Sequence, residues 1–148
     1  MIRNFAVLIL AVAMAVAPGV ANAEPAVVLV TARDSRIESI SMLDIRKAFL
    51  GIAVTVDGES LNAVRRNEDR QLDDIFLQSV VAMSRKSYER RLLSLALKFG
   101  TPRPLIADDA ADQARILNER SPAISYMWRS EAEADSSVRI LKVLWQES

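Results

Sequence analysis

Apolar positions along this chain follow two rhythms, and the change from one to the other marks its elements. Residues 26–31 are a short, largely β-branched apolar run, the pattern of a strand buried on both faces. A mainly polar stretch, 32–39, follows as a loop. Ser41 then stands as an N-cap with Asp44 three residues on, and Ile40 and Ile45 occupy the positions of a hydrophobic staple. The helix they start runs through Phe49 and stops at Gly51. Residues 53–56 and 61–64 are apolar runs flanking Asp57-Gly58, a strong short hairpin signal. The most regular helix comes next, with Leu72, Ile75, Phe76, Ser79, Val80 and Met83 on one face. Ser84 caps another helix, reaching Phe99, with Tyr88, Leu92, Leu93, Ala96 and Leu97 as its apolar stripe. Gly100-Thr101-Pro102-Arg103-Pro104 ends it in a stiff loop. Asp108 is the expected cap of a last helix that turns Ala110, Ala114 and Leu117 inward. After the Ser121-Pro122 turn, residues 123–127 and 138–144 read as two final strands separated by an acidic loop, 130–137. The order β-α-β-β-α-α-α-β-β predicts one compact α/β domain, a mixed sheet covered by helices.

The first 23 residues belong to a different class. Met1-Ile2-Arg3 is a short basic start, 5–17 is an unbroken apolar run, and Pro18-Gly19 precedes Ala21-Asn22-Ala23, an A-x-A cleavage signal. The run is short for a bilayer, which takes about 20 residues, and this disfavours the alternative of an uncleaved anchor. The expectation is a signal peptide, 1–23, and an exported periplasmic domain, 24–148, beginning at Glu24. The chain has no cysteine, so neither a lipidated N-terminal cysteine nor a disulfide is expected. Lysine plus arginine and aspartate plus glutamate each number 19, and Arg3 is the only charged residue of the leader. The processed chain is therefore about one charge negative, with no global basic field for nucleic acid or a membrane surface. Histidine is absent as well as cysteine. This removes Ser-His-Asp and Cys-His nucleophile systems and the usual zinc sites, and the expectation is a non-enzyme with no cofactor. Asp108, Asp109 and Asp112 invite a metal reading, but helix capping accounts for two of them and no EF-hand spacing is present.

Candidate chemistry gathers where the strand at 61–64 meets the next helix. Arg65 and Arg66 arrive at a helix N-terminus, which carries unpaired N–H groups and the positive end of the macrodipole. Asn67 is positioned to cap that helix, and Glu68 and Asp69 bring negative charge to the same point. A phosphate dianion about 4 Å from one carboxylate meets a repulsion on the order of 4 kcal/mol at an effective dielectric of about 20. The alternative is that both arginines pair on the surface with Glu68, Asp69 or Asp73. Arg85, Lys86, Arg90, Arg91 and Lys98 form a basic helix face, with Glu89 at hand for internal pairing. The functional reading of that face is contact with an acidic partner.

The order of these segments is similar to a known family. "ISMLDIRKAFLG" at 40–51, the Asp57-Gly58 hairpin, the arginine-bearing turn, "DDIFLQSVVAMSRKSYERRLLSLALKFGTPRP" at 73–104 and "SPAISYM" at 121–127 occur in the succession typical of it. They resemble the small phosphate ABC transporter substrate-binding-like proteins, a reduced branch of the type 2 periplasmic binding protein superfamily. The resemblance covers nearly all of 27–143. It implies a fold like one lobe of such a protein, phosphate or another small oxyanion as ligand, and a link to an ABC transporter. Carried over residue by residue, it implies ligand contacts from Arg65, Arg66 and Asn67, with Thr31 and Tyr126 contributing. The chain departs from the pattern in three places. Thr31-Ala32-Arg33-Asp34-Ser35 replaces a loop rich in glycine, serine and threonine. Asn67-Glu68-Asp69-Arg70-Gln71 replaces the small-residue loop whose hydroxyls and amides hold phosphate in full-size relatives. Ser125 stands where the family strand has glycine. The alternative function is a protein-interaction module of the envelope, serving a transporter or sensor, with the ligand site lost.

Overall fold

The computed structural model describes residues 24–148, so the expected signal peptide, 1–23, lies outside the described residues. Strand β1 (Ala26–Ala32) is buried along its whole length. Its alternate side chains serve two cores: Val27 and Leu29 enter one, Val28 and Val30 the other. That double burial is why the run reads as continuously apolar. Helix α1 (Met42–Phe49) starts as expected, with the Ser41 hydroxyl accepting from the Asp44 N–H at 3.1 Å. Gly51 follows with φ +80°, and a Cβ there would come within 2.6 Å of Thr101 Cγ2.

The hairpin is shorter than the apolar runs suggest. Asp57 and Gly58 are both left-handed, and they join β2 (Thr55–Val56) to β3 (Glu59–Ser60). Residues 61–64 are not its second strand. They enter β4 (Asn62–Arg65), which lies parallel to both β5 (Leu105–Ile106) and β6 (Ala123–Trp128). The chain has to leave the hairpin there because β4 is an inner strand, and its Ala63 and Val64 find apolar cover only within the main sheet.

Helix α2 (Arg70–Phe76) passes into a π-helical turn at Leu77–Val81, which ends on left-handed Ala82. Helix α3 (Arg85–Phe99) is capped by Ser84 and closed by left-handed Gly100, both as the sequence predicts. The next helix, α4 (Ala110–Glu119), is capped by Asp109 rather than Asp108. Asp109 is the extended residue whose carboxylate accepts from the Asp112 N–H at 2.8 Å, while Asp112 accepts in turn from the Asp108 N–H. The acidic segment after β6 is a helix, α5 (Arg129–Ala134), rather than a loop. Its Glu131 caps it by accepting from the Trp128 N–H, and Ala132 packs inward.

The last strand, β7 (Val138–Gln146), completes a five-stranded sheet of order β5-β4-β6-β1-β7. β1 runs antiparallel to β6 and β7, so the sheet is mixed. One face carries the larger core, with Phe49, Phe76, Tyr88, Leu92, Ile124 and Tyr126. The other is covered by Ala114 and Leu117 of α4 and Ala132 of α5. The described chain is thus one α/β domain with helices on both faces, and β4 lies inside it with Arg65 at its end. No helix among the described residues is long and apolar enough to cross a membrane.

Candidate functional site

Consecutive residues of a strand point to opposite faces. Arg65 and Arg66 therefore leave the end of β4 in opposite directions, and they do not form one cradle. Arg65 turns to the α2–α3 face and is 2% exposed. One of its terminal nitrogens lies 3.1 Å from Asp73 Oδ2 and the other 2.6 Å from Glu89 Oε1. Its guanidinium carbon stands 4.8 Å from the centre of the Tyr88 ring. Its Nε is buried with no hydrogen-bond partner among the described residues. Arg66 turns to the α4–α5 face. It pairs with Glu68, with Glu131 at 2.8 Å and with Asp69 at 3.8 Å, and it donates to the Gln113 side chain at 3.4 Å.

The pairing with Glu68, Asp69 and Asp73 agrees with the sequence, but its placement on the surface does not. Both guanidinium groups are buried, because β4 is an inner strand covered on its two faces. Glu89, Glu131, Gln113 and Arg85 come from other elements, and spacing along β4 could not have named them. Arg85 reaches Asp73 at 3.3 Å and Asp74 at 2.8 Å. Three arginines thus meet six carboxylates within 4.0 Å.

Tyr126 joins the two halves. Its hydroxyl donates to Asp73 Oδ1 at 2.5 Å and accepts from the Arg66 backbone N–H at 3.1 Å. Its ring stacks on Phe76 at 3.9 Å between centroids, 8° from parallel. Ser125, in the place of the family glycine, donates to Val64 O at 2.6 Å and accepts from Gln113, so its side chain ties β6 to β4. Asn67 is half-buried just beyond β4, and the cap of α2 is Asp69, whose carboxylate accepts from the Leu72 N–H at 3.1 Å. The second oxygen of Asp69 accepts from the Trp128 indole at 2.9 Å. Thr31 is not part of this constellation. It donates to Ala123 O at 2.8 Å, at the entry of β6, three residues before Tyr126 and roughly 10 Å along the strand.

The electrostatics follow the geometry. Burial pulls the Arg65 guanidinium down, but the Glu89 hydrogen bond and the Asp73 charge outweigh it and hold the group above its ordinary value. Arg66 is raised in the same way, with Glu131 and Glu68 overcoming desolvation. Burial raises Asp69, yet the Leu72 N–H, the Trp128 indole and Arg66 together hold it below the usual carboxylate range. Burial, then the neighbouring Asp73 charge, pushes the Tyr126 hydroxyl well up. It stays protonated and serves as a hydrogen-bond donor.

Four clefts among the described residues lie elsewhere. Clefts of ≈ 330, ≈ 330, ≈ 290 and ≈ 190 Å³ are lined by none of Thr31, Arg65, Arg66, Asn67 and Tyr126. One of the two larger clefts lies between Pro25, Gln71, Trp128 and Arg129.

The fold is one found, over about half their length, in solved phosphate-transport receptors. The chain superimposes on an ABC-type phosphate transport receptor from Vibrio cholerae with TM-score 0.59 and 12% identity, over 80% of this chain and 46% of that one. A protein from Clostridium perfringens, described as a phosphate ABC transporter substrate-binding protein and solved with bound phosphate, gives 0.61 and 18%, over 81% and 45%. PstS from Borrelia burgdorferi gives 0.59 and 13%, over 85% and 50%. The chain therefore has the fold of these proteins and spans about half their length. No family model and no curated protein matches it.

Proposed function

We propose that this chain is an exported, non-catalytic envelope protein that keeps a substrate-binding-protein fold but acts through a protein partner. In this reading the anion position implied by the family resemblance is filled by the chain's own carboxylates. The observation that carries the reading is the split of Arg65 and Arg66 to opposite faces of the sheet, each ringed by acidic side chains. An incoming oxyanion would have to displace those carboxylates, and the cluster has more acidic than basic groups. The leader-like first 23 residues and the lack of histidine and cysteine support the exported and non-catalytic parts.

A second reading has one specific observation in its favour. Glu68, Asp69 and Glu131 around Arg66 keep 41%, 27% and 26% side-chain exposure, so they have room to swing aside. On that reading the chain is a periplasmic receptor for phosphate or another small oxyanion, held by Arg66 and Asn67 and feeding an ABC transporter. Thermal melts of the processed chain with millimolar phosphate, sulfate and small carboxylates separate the two. The first reading expects superimposable melting curves. A concentration-dependent rise that Arg66→Ala abolishes would establish the receptor instead.

A further inference from the structure

Helix α3 carries the surface that the partner reading requires, and a docking role for it rests on that reading. Tyr88 and Leu92 anchor the helix to the core. Its only acidic residue, Glu89, is drawn to Arg65, and Arg85 is drawn to Asp73 and Asp74. Lys86, Arg90, Arg91 and Lys98 are exposed, and none has a carboxylate within 4.0 Å among the described residues. Leu93 and Leu97 are 46% and 78% exposed on the same helix.

Lys86, Arg90, Leu93 and Leu97 are spaced i, i+4, i+7 and i+11, so they form one stripe about 16 Å long. Two cations occupy its first half and two leucines its second, with Arg91 and Lys98 along one side. The internal ion pairs have thus removed the acidic compensation from this face and left an apolar pair beside uncompensated positive charge. We infer that α3 is the docking face for an acidic amphipathic segment of another protein, laid along the helix. Its carboxylates would oppose Lys86 and Arg90, and its apolar side chains would cover Leu93 and Leu97. An anionic bilayer fits less well, because the apolar part of the stripe is two leucines, Leu93 and Leu97, far short of the continuous apolar face an interfacial helix buries.

The test places a photo-crosslinking benzoylphenylalanine at Leu97 of the full chain in its native host, with Ile106 as the control position. Mass spectrometry identifies the crosslinked peptide. The expected adduct is a segment of another protein in which Asp or Glu flank apolar residues. Its yield should fall about tenfold in Arg90→Glu/Arg91→Glu, with melting of that variant unchanged and no such adduct from Ile106. The inference is overturned by no adduct, by an adduct indifferent to the charge reversal, by a lipid adduct, or by an adduct to a second copy of this chain. Failure of the filled-anion reading shows separately, as a phosphate-dependent melting shift lost in Arg66→Ala.

Discussion

Asp73→Ala is expected to destabilise the domain by about 3–5 kcal/mol, measured as a fall in the urea midpoint at constant m-value. The side chain is fully buried and serves three partners. It pairs with Arg65 at 3.1 Å and Arg85 at 3.3 Å, and it accepts from the Tyr126 hydroxyl at 2.5 Å. Removing it leaves Arg65 to the half-exposed Glu89 alone and the tyrosine hydroxyl buried without its acceptor. A domain of ordinary stability, about 5–15 kcal/mol, loses a large fraction of it by that change. The double variant Arg65→Met/Asp73→Leu separates a stranded charge from simple loss of packing. Replacing a whole buried pair by apolar groups is commonly close to neutral, so the double variant should be more stable than Asp73→Ala. A loss below about 1 kcal/mol for Asp73→Ala would mean that the pair is open to water rather than buried.

Phe76→Ala should cost a similar amount, about 3–5 kcal/mol. The ring is fully buried, stacked on Tyr126 and edge-on to Phe49 at 4.7 Å. It does more than fill volume, since the stack holds Tyr126 where its hydroxyl meets Asp73 and the Arg66 N–H. Calorimetric unfolding reads the loss, and near-UV circular dichroism should show the tyrosine band weakened in the folded variant. Phe76→Leu, which retains most of the volume but no ring, should be clearly milder. A loss under about 1.5 kcal/mol for the alanine variant would show that the stack is not a fixed part of the core.

The two faces of the sheet explain what the sequence disclosed and what it concealed. β1 was legible because each of its faces meets apolar cover, and the caps at Ser41 and Ser84 were legible because capping is local. The second hairpin strand departs from the apolar pattern because the polar pair Glu59-Ser60 forms it while the apolar run beyond belongs to β4. Capping of α2 by Asp69 rather than Asn67, and of α4 by Asp109 rather than Asp108, turns on which of several neighbouring polar residues is extended. Helix α5 was hidden because its apolar contribution is essentially Ala132, and β5 because it has two residues. At the site, the local partners Glu68, Asp69 and Asp73 were readable from spacing. The alternation that sends Arg65 and Arg66 apart was also present in the sequence, once Arg65 is taken as the last residue of a strand. Glu89, Gln113 and Glu131 were not readable, because only the packing of α3, α4 and α5 on the sheet brings them to β4.

The central claim is that the chain supplies its own negative charge at the arginines. Isothermal titration of phosphate at low salt, into the wild type and into Glu68→Gln/Glu131→Gln side by side, tests it most directly. Those two substitutions remove the two carboxylates that lie closest to Arg66 and leave the Arg65 pairs intact. The predicted result is no measurable heat for the wild type and weak, millimolar binding in the double variant, where Arg66 becomes available. Micromolar binding by the wild type, lost in Arg66→Ala, would contradict the account.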